Sequence, residues 1–286
     1  MVSIIVSSYK SAYFDQLVAS INSTIGDVPF EILKVDNPGL YSLTQAYNLG
    51  ASRAKYELLC FIHEDVKVHS ENWGENLVSH FNKTYNLGLI GVAGSQVKLQ
   101  LPTGWGHHIR EKNKLNILQL TKDGTPYKIS TQGNSKIDFV KVVDGVFMVT
   151  KKAIWEEYNF DENVTGYHFY DIDFSVTVGQ KYKVAVVYDI LLEHFSHGNY
   201  GDEWIEAAIK YNNLTGKAHL FDQLLPNEKL FRGPYYLHLA QYKLKLKSKI
   251  LYIKNLGIDL RSIPAIGAFI FPKIAFYIHG LIKGKR

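Results

Sequence analysis

Residues 56–68 read YELLCFIHEDVKV. Five apolar residues, Leu58 to Ile62, run directly into His63, Glu64 and Asp65. An uninterrupted apolar run of this length suits an interior strand of a sheet covered on both faces. Polar groups at the carboxyl end of such a strand stand where open α/β sheets hold their ligands. His63 and Asp65 are two residues apart, so an extended chain points both the same way. An imidazole and a carboxylate on one side can share a divalent cation. The same residues also read as a polar strand end turning into a loop.

The stretch just upstream extends this reading. Residues 46–65, AYNLGASRAKYELLCFIHED, resemble the nucleotide-sugar-binding half of the family 2 glycosyltransferases, enzymes of the GT-A fold. In that family a helix carrying Asn, Gly and Ala leads into a strand ending in Asp-x-Asp. Asn48, Gly50 and Ala54 match the helix, and His63-Glu64-Asp65 stands in place of Asp-x-Asp. Histidine for the first carboxylate is a departure from the pattern, and it most resembles the branch typified by the streptomycin-biosynthesis protein StrF. The resemblance covers about residues 1–215. It implies an α/β chain of GT-A fold, with a mostly parallel, doubly wound sheet and a basic, partly apolar C-terminal extension over residues 216–286.

The order of elements read from the sequence agrees. Val2 to Ser7 is strand-like, Phe14 to Ile25 has helical apolar spacing, Phe30 to Val35 is a strand and Leu43 to Ala54 a helix. Tyr56 to Ile62 is the third strand, Trp73 to Tyr85 is helical and Leu89 to Ala93 is a short strand. This βαβαβ rhythm argues for a doubly wound sheet. Residues 95–138 break it and read as a long insertion with hairpin content; ordered insertions of this length are commonly functional. Beyond it, Phe139 to Thr150 reads as one strand, Asp171 opens a helix, and Val184 to Leu192 reads as one long apolar strand ending in Glu193, His194, Phe195, Ser196 and His197.

Glycosyl transfer needs charge to neutralise a departing diphosphate, a base for the acceptor hydroxyl and a nucleotide pocket. The resemblance assigns candidates to each. Asp65, His63 and His194 form the set for a divalent cation, Mn2+ or Mg2+, with His197 as a rival to His194. The segment GYHFYDIDFSV resembles the family's Glu-Asp-x-Asp-Leu motif, which makes Asp171 the base; Tyr170 stands where the motif has glutamate. Asp173 then orients the acceptor, or caps the helix and favours its dipole. Ser7, Ser8, Tyr9 and Asp36, at the first two strand ends, fall on the nucleotide side with Asn48 and Glu64. Asp36 can accept from a ribose hydroxyl or uracil N3–H, and Asp36-Asn37-Pro38-Gly39 is equally well explained as a turn. Asn48 is a nucleotide contact or a packing group, and Glu64, pointing away from Asp65, also reads as a surface charge. Asp144 lies in VVDGVFMV, which resembles the acceptor-side strand, with Gly145 allowing close backbone approach. Trp105, His107 and His108 in the insertion line the acceptor site or sit on a surface loop.

Composition sets further bounds. The 286 residues are 46% apolar and 21% charged, ordinary globular proportions. The one cysteine, Cys60, leaves no intrachain disulfide, in keeping with a reducing compartment. No basic, apolar secretory leader is visible at the start, so the expected location is cytoplasmic, peripheral on the inner membrane face. The net charge of +5 is unevenly spread: residues 241–286 hold ten Lys or Arg and one acid, Asp259, leaving the first 240 mildly acidic. Lysines alternating with Leu, Ile and Tyr favour an anionic membrane surface over nucleic acid, with a second copy as another partner for the tail. Ile263 to Ile282 is interrupted by Pro264, Pro272, Lys273 and His279 and falls short of a transmembrane helix. A dehydrogenase is disfavoured because Gly88, Gly91 and Gly94 are evenly spaced, not G-x-G-x-x-G. Nucleotidyl transfer is disfavoured because SSYKSAYFDQ after the first strand lacks glycine. The expected reaction is therefore transfer from a nucleotide sugar, UDP-linked, to a glycan or lipid-linked acceptor, with inversion, as in polysaccharide assembly. The competing expectation is an inactive GT-A-like nucleotide-binding scaffold.

Overall fold

A computed structural model describes residues 1–121, 123–196, 198, 200–214, 216–222 and 231–271. The chain divides into two compact units, Met1–Lys98 with Trp105–His197, and Leu99–Gly104 with Gly198–Arg286.

The first unit contains, in chain order, β1 (Val2–Ser8), α1 (Ser11–Thr24), β2 (Phe30–Asp36), α2 (Leu43–Ser52), β3 (Leu58–Ile62), β4 (Val66–Val68), α3 (Trp73–Lys83), β5 (Leu87–Gly91) and β6 (Ala93–Ser95). After them come β7 (Asn113–Leu120), β8 (Pro126–Ser130), β9 (Ile137–Val140), β10 (Val142–Val143), β11 (Phe147–Lys151), α4 (Lys152–Tyr158), α5 (Tyr170–Val178), β12 (Lys183–Val187) and β13 (Leu192–His194). The main sheet has the order β2-β1-β3-β11-β5-β12-β9. β2, β1 and β3 run parallel, as do β5 and β12, while β11 enters antiparallel between β3 and β5, and β9 closes the edge antiparallel to β12. A second sheet, β10-β6-β7-β13-β4 with β8 on β7, is built largely from the insertion, whose expected hairpin is β7–β8.

The apolar run of β3 is buried throughout and divides by parity. Leu58, Cys60 and Ile62 enter one core cluster with Ile4, Leu17, Trp73 and Val149, and Leu59 and Phe61 enter the other with Tyr47, Met148 and Phe174. This is the period-two signature of a strand covered on both faces. Helix α2 begins at a capping box: the Ser42 side chain accepts from Gln45 N, and the Gln45 side chain accepts from Ser42 N at 3.0 Å. Gly50 lets α2 lie close on β1, because a Cβ there would overlap Cγ2 of the buried Ile5.

Two expected strands are broken. Phe139 to Thr150 is three short strands, with Asp144-Gly145-Val146 forming the link between β10 and β11; β10 pairs with β6 in the second sheet, a pairing that Asp144 N extends by donating to Ala93 O at 2.8 Å, while β11 lies in the main sheet. Val184 to Leu192 is β12 and the start of β13, interrupted at Tyr188–Leu191, so that β13 joins the second sheet instead of prolonging the first.

The second unit carries α6 (Asp202–Leu214), α7 (Gly233–Ala240), α8 (Leu246–Leu256) and α9 (Ile263–Ile270). Tyr236, Tyr252 and Phe269 pack with ring centroids 5.6–6.0 Å apart. Arg232 Nε donates to Leu256 O at 2.8 Å, and Tyr236 OH to Gly257 O at 2.6 Å. Among the described residues no helix is long and apolar enough to cross a membrane. Residues 272–282 of the apolar C-terminal stretch lie outside those described.

Gly50→Ala is expected to cost ~1–3 kcal/mol of stability through overpacking against Ile5. Urea unfolding checks this, and in a double-mutant cycle Gly50→Ala with Ile5→Ala should cost less than the sum of the two single changes.

Candidate metal and transfer site

The cation candidates come together through strand pairing. β4 pairs antiparallel with β13 so that His194 lies opposite Val66, and Phe195 N donates to Asp65 O at 3.0 Å. That register sets His194 beside Asp65. The Asp65 Oδ1 atom is 3.5 Å from His194 Nε2 and 3.9 Å from His63 Nδ1. Ligand atoms of His63, Asp65 and His194 all lie within 4.8 Å of one another. Two donors each about 2.1 Å from one cation stand roughly 3–4 Å apart, so the spacing fits a shared ion. The far nitrogen of His63, Nε2, is 2.8 Å from the hydroxyl of Tyr170. A ligand histidine held at its other nitrogen is the usual outer support of a metal site.

The electrostatics suit the same role. Burial pulls His63 below the ordinary histidine range; Asp65 opposes this, and His194 adds to it. Burial also works against protonating His194, but the hydrogen bond and charge of Asp65, with Asp144 behind them, raise it. Burial alone would raise Asp65, yet His194, His63 and Ser196 together hold it well below the usual carboxylate range. A permanently ionised aspartate thus stands between two imidazoles.

The second half of the site hangs on the link between β10 and β11. His63 N donates to Val146 O at 3.1 Å, and Val146 N donates to Asp144 Oδ1 at 2.8 Å. Gly145 N donates to Asp171 Oδ2 at 3.1 Å, and the Trp105 indole donates to Asp144 Oδ2. Four of the expected residues, His63, Asp144, Asp171 and Trp105, therefore share one short loop. Asp171 follows Phe169, which is buried with φ 68°, a left-handed backbone unusual for a bulky residue. Such conformations cost on the order of 1–3 kcal/mol and persist where packing over-determines them. Burial, reinforced by the nearby charge of Asp144, raises the Asp171 carboxyl to about 7. Gly145 does not leave room for a substrate: the Tyr170 hydroxyl fills the space where its Cβ would be.

Other expected residues have different employment. Asn48 is a packing group, because both ends of its amide are committed: Nδ2 donates to Phe160 O (2.9 Å) and Glu162 Oε1 (3.0 Å), and Oδ1 accepts from Trp155 Nε1 and Phe160 N (both 3.1 Å). It therefore fastens α2 to α4 and the segment after it. Glu64 is no surface charge. It is 5% exposed and accepts from Ser8 Oγ at 2.7 Å and from the backbone N–H groups of Tyr9 and Lys10 at 3.2 Å. Its carboxylate is thus spent on the β1–α1 turn, and Ser8 faces inward to it. Ser7 Oγ accepts from Asn37 Nδ2 at 3.2 Å. Tyr9 and Asp36 remain exposed at the strand ends, Asp36 paired with Lys34 at 2.7 Å. Asp173 is buried in the first turn of α5. His107 is buried as well, its Nδ1 accepting from Ile109 N at 3.1 Å. His197 lies outside the described residues.

Three residues of the site escaped the sequence reading. Tyr170 stood out only as a departure from a motif, and its partner His63 is 107 residues away. Asn37 looked like part of a turn. Lys98 is 3% exposed, and burial lowers it to about 7 against the pull of Asp171. A lone lysine between Val97 and Leu99 was the available signal.

The chain belongs to the glycosyltransferase-like family, whose model matches residues 3–217. Family and sheet order together give the GT-A class of fold. No curated protein matches the chain. Among solved structures it is similar to GalNAc-T7 with UDP, GalNAc and Mn2+, at 12% identity and TM-score 0.47, covering 68% of this chain and 44% of that one. It is similar to Staphylococcus aureus TarS residues 1–349 in complex with UDP, at 13% identity and TM-score 0.46, covering 99% and 92%. The mannosyltransferase PcManGT from Pyrobaculum calidifontis, in complex with GDP-Man and Mn2+, matches at 10% identity and TM-score 0.45, covering 100% and 75%. The chain thus spans less than half the length of the GalNAc-T7 chain it matches.

Asn48→Ala is expected to lower stability by ~1–3 kcal/mol, the cost of stranding buried partners, with nucleotide affinity unchanged. Chemical denaturation and nucleotide titration of the same variant check both halves.

Proposed function

We propose that this chain transfers a sugar from a nucleotide-sugar donor to a hydroxyl of a glycan or lipid-linked acceptor. The observation that carries this reading is the convergence, near the carboxyl end of β3, of a three-donor cluster and a buried carboxylate that holds its proton near neutrality. His63, Asp65 and His194 would hold a divalent cation, which would supply positive charge against the departing diphosphate. The Asp171 carboxylate takes the proton of the acceptor hydroxyl. The acceptor oxygen bonds to the anomeric carbon as the bond to the diphosphate breaks, and the diphosphate leaves with the electron pair. One displacement inverts the anomeric centre. Asp144, fixed by Val146 N and Trp105, lies on the acceptor side in this reading and raises the proton affinity of Asp171, which makes its carboxylate the stronger base.

The donor in this reading is a UDP-sugar. The exposed Asp36 carboxylate can accept from uracil N3–H, and the exposed ring of Tyr9 offers a stacking face, while Ser7, Ser8, Asn37 and Glu64 shape the turn between them. His63 in place of the first carboxylate supports the StrF-like branch. Within the second unit, α8 turns Ser248, Lys249 and Tyr252 inward and exposes Leu246 and Ile250, with Lys243, Lys247 and Lys254 exposed alongside. This face suits an anionic membrane surface, where a lipid-linked acceptor would be presented.

Asp171→Asn is expected to abolish transfer while donor binding, read by calorimetry, stays within about twofold; wild-type turnover in this variant would defeat the base assignment. For the wild type, kcat/KM should rise with pH to a plateau above about 7, as Asp171 ionises. The stability linkage has the opposite sign. With a folded pKa near 7 against an unfolded value of 3.8, the protonated carboxyl adds stability in full below about pH 4, and this is lost as pH rises through 7. Reversing Lys243, Lys247 and Lys254 to Glu is expected to weaken binding to anionic vesicles about a hundredfold or more at low salt, as measured by co-sedimentation.

A further inference from the structure

Two positions depart from the family pattern that the sequence resembles. His63 stands where a carboxylate is expected and Tyr170 where a glutamate is expected. The structure brings these two departures into contact, His63 Nε2 to Tyr170 Oη at 2.8 Å. The phenol is not adaptable: Tyr170 is 4% exposed, its ring stands edge-on to Tyr47 at 5.7 Å, and its hydroxyl occupies the space over Gly145. On the other side of the imidazole, Nδ1 is 3.9 Å from Asp65 Oδ1, too far for a hydrogen bond and suited to two donors on one ion.

We propose that Tyr170 is a positioning residue that holds His63 as the Nε2–H tautomer, leaving the Nδ1 lone pair for the cation, and that the resulting two-imidazole, one-carboxylate site selects Mn2+ and Zn2+ over Mg2+. This rests on the cation site proposed above. Neutral imidazole suits borderline cations, whereas Mg2+ favours oxygen donors. With Nδ1 given to the cation, the imidazole proton sits on Nε2 and the phenol oxygen accepts from it, which fixes the ring rotation. A glutamate at position 170 would instead place a fourth carboxylate beside Asp171, Asp144 and Asp65. The Tyr170 and His63 exchanges thus make sense as a pair: an imidazole needs an outer acceptor, and a neutral one adds no charge. Gly145 completes the set, because any side chain there would displace the hydroxyl.

The test uses the full chain and the metals alone. Calorimetry and Mn2+ electron paramagnetic resonance would give affinities for Mn2+, Zn2+ and Mg2+ in the wild type, Tyr170→Phe, His63→Asp and Asp65→Asn, with circular dichroism confirming that each is folded. The wild type is expected to bind Mn2+ and Zn2+ at least tenfold more tightly than Mg2+. Tyr170→Phe should weaken Mn2+ and Zn2+ by about 10- to 100-fold, the usual cost of losing an outer partner. His63→Asp should shrink the preference against Mg2+ by at least tenfold. In the metal-free protein, 15N spectra of labelled histidine should show His63 protonated at Nε2 in the wild type and mixed in Tyr170→Phe. If Asp65→Asn leaves Mn2+ binding intact, the cation site itself is wrong. If Asp65→Asn abolishes binding but Tyr170→Phe keeps wild-type affinity, selectivity and tautomer, the site stands and the role given to Tyr170 is overturned. An Nδ1–H tautomer in the wild type overturns it as well.

Discussion

Three consecutive residues, Asp144, Gly145 and Val146, tie the site together. The carbonyl of Val146 holds the backbone of His63, the N–H of Gly145 holds the Asp171 carboxylate, and the bare α-carbon of Gly145 admits the Tyr170 hydroxyl. The loop is the crossing between sheets: β10, with Asp144 N on Ala93 O, pairs with β6 in the second sheet, and β11 lies in the first. Without that crossing the segment would run on as a strand, with alternate side chains sent to opposite faces. Cation donors and base come from β3, β13 and α5, elements far apart in sequence. Their common reference is this turn and the β4–β13 register.

Buried charge is arranged to different ends at neighbouring positions. Asp65 sits between two histidines and is held ionised, while Asp171, a comparable carboxylate with only backbone N–H partners and Asp144 nearby, is driven toward its neutral form. Two carboxyls whose environments push them apart can divide the work of binding an ion and moving a proton. Lys98, buried within the field of Asp171, is lowered by the same loss of water that raises the acid.

The legible part of the fold was that written in local periodicity. β3 was readable because five apolar residues in a row end at polar ones, and α2 because Asn48, Gly50 and Ala54 lie close together just upstream of β3. The breaks at Asp144 and Tyr188 were not readable, since apolar content continues through both and only distant partners, such as Ala93 for Asp144, take the chain to the second sheet. In the site, His63, Asp65, His194 and Asp171 carry chemistry in their residue types and could be nominated one at a time. The residues whose surroundings the sequence left open share a cause. Asn48 and Glu64 are polar groups close to the expected pocket, and whether such groups face a ligand or the protein depends on backbone donors and acceptors that a sequence does not display. Tyr170 is the converse case, a side chain without evident chemistry whose importance comes from the atom it touches.

The single thiol of the chain, Cys60, lies fully buried in β3, with β1 on one side and β11 on the other. Burial also raises its pKa, so it offers little thiolate to any reagent. The native molecule is therefore silent to thiol chemistry while folded. A cysteine placed at an exposed position, such as Tyr9 beside the proposed donor pocket or Leu246 on α8, would carry a fluorophore or spin label alone, without first removing a core side chain. Reactivity of Cys60 itself would then serve as an internal clock for opening of the central sheet.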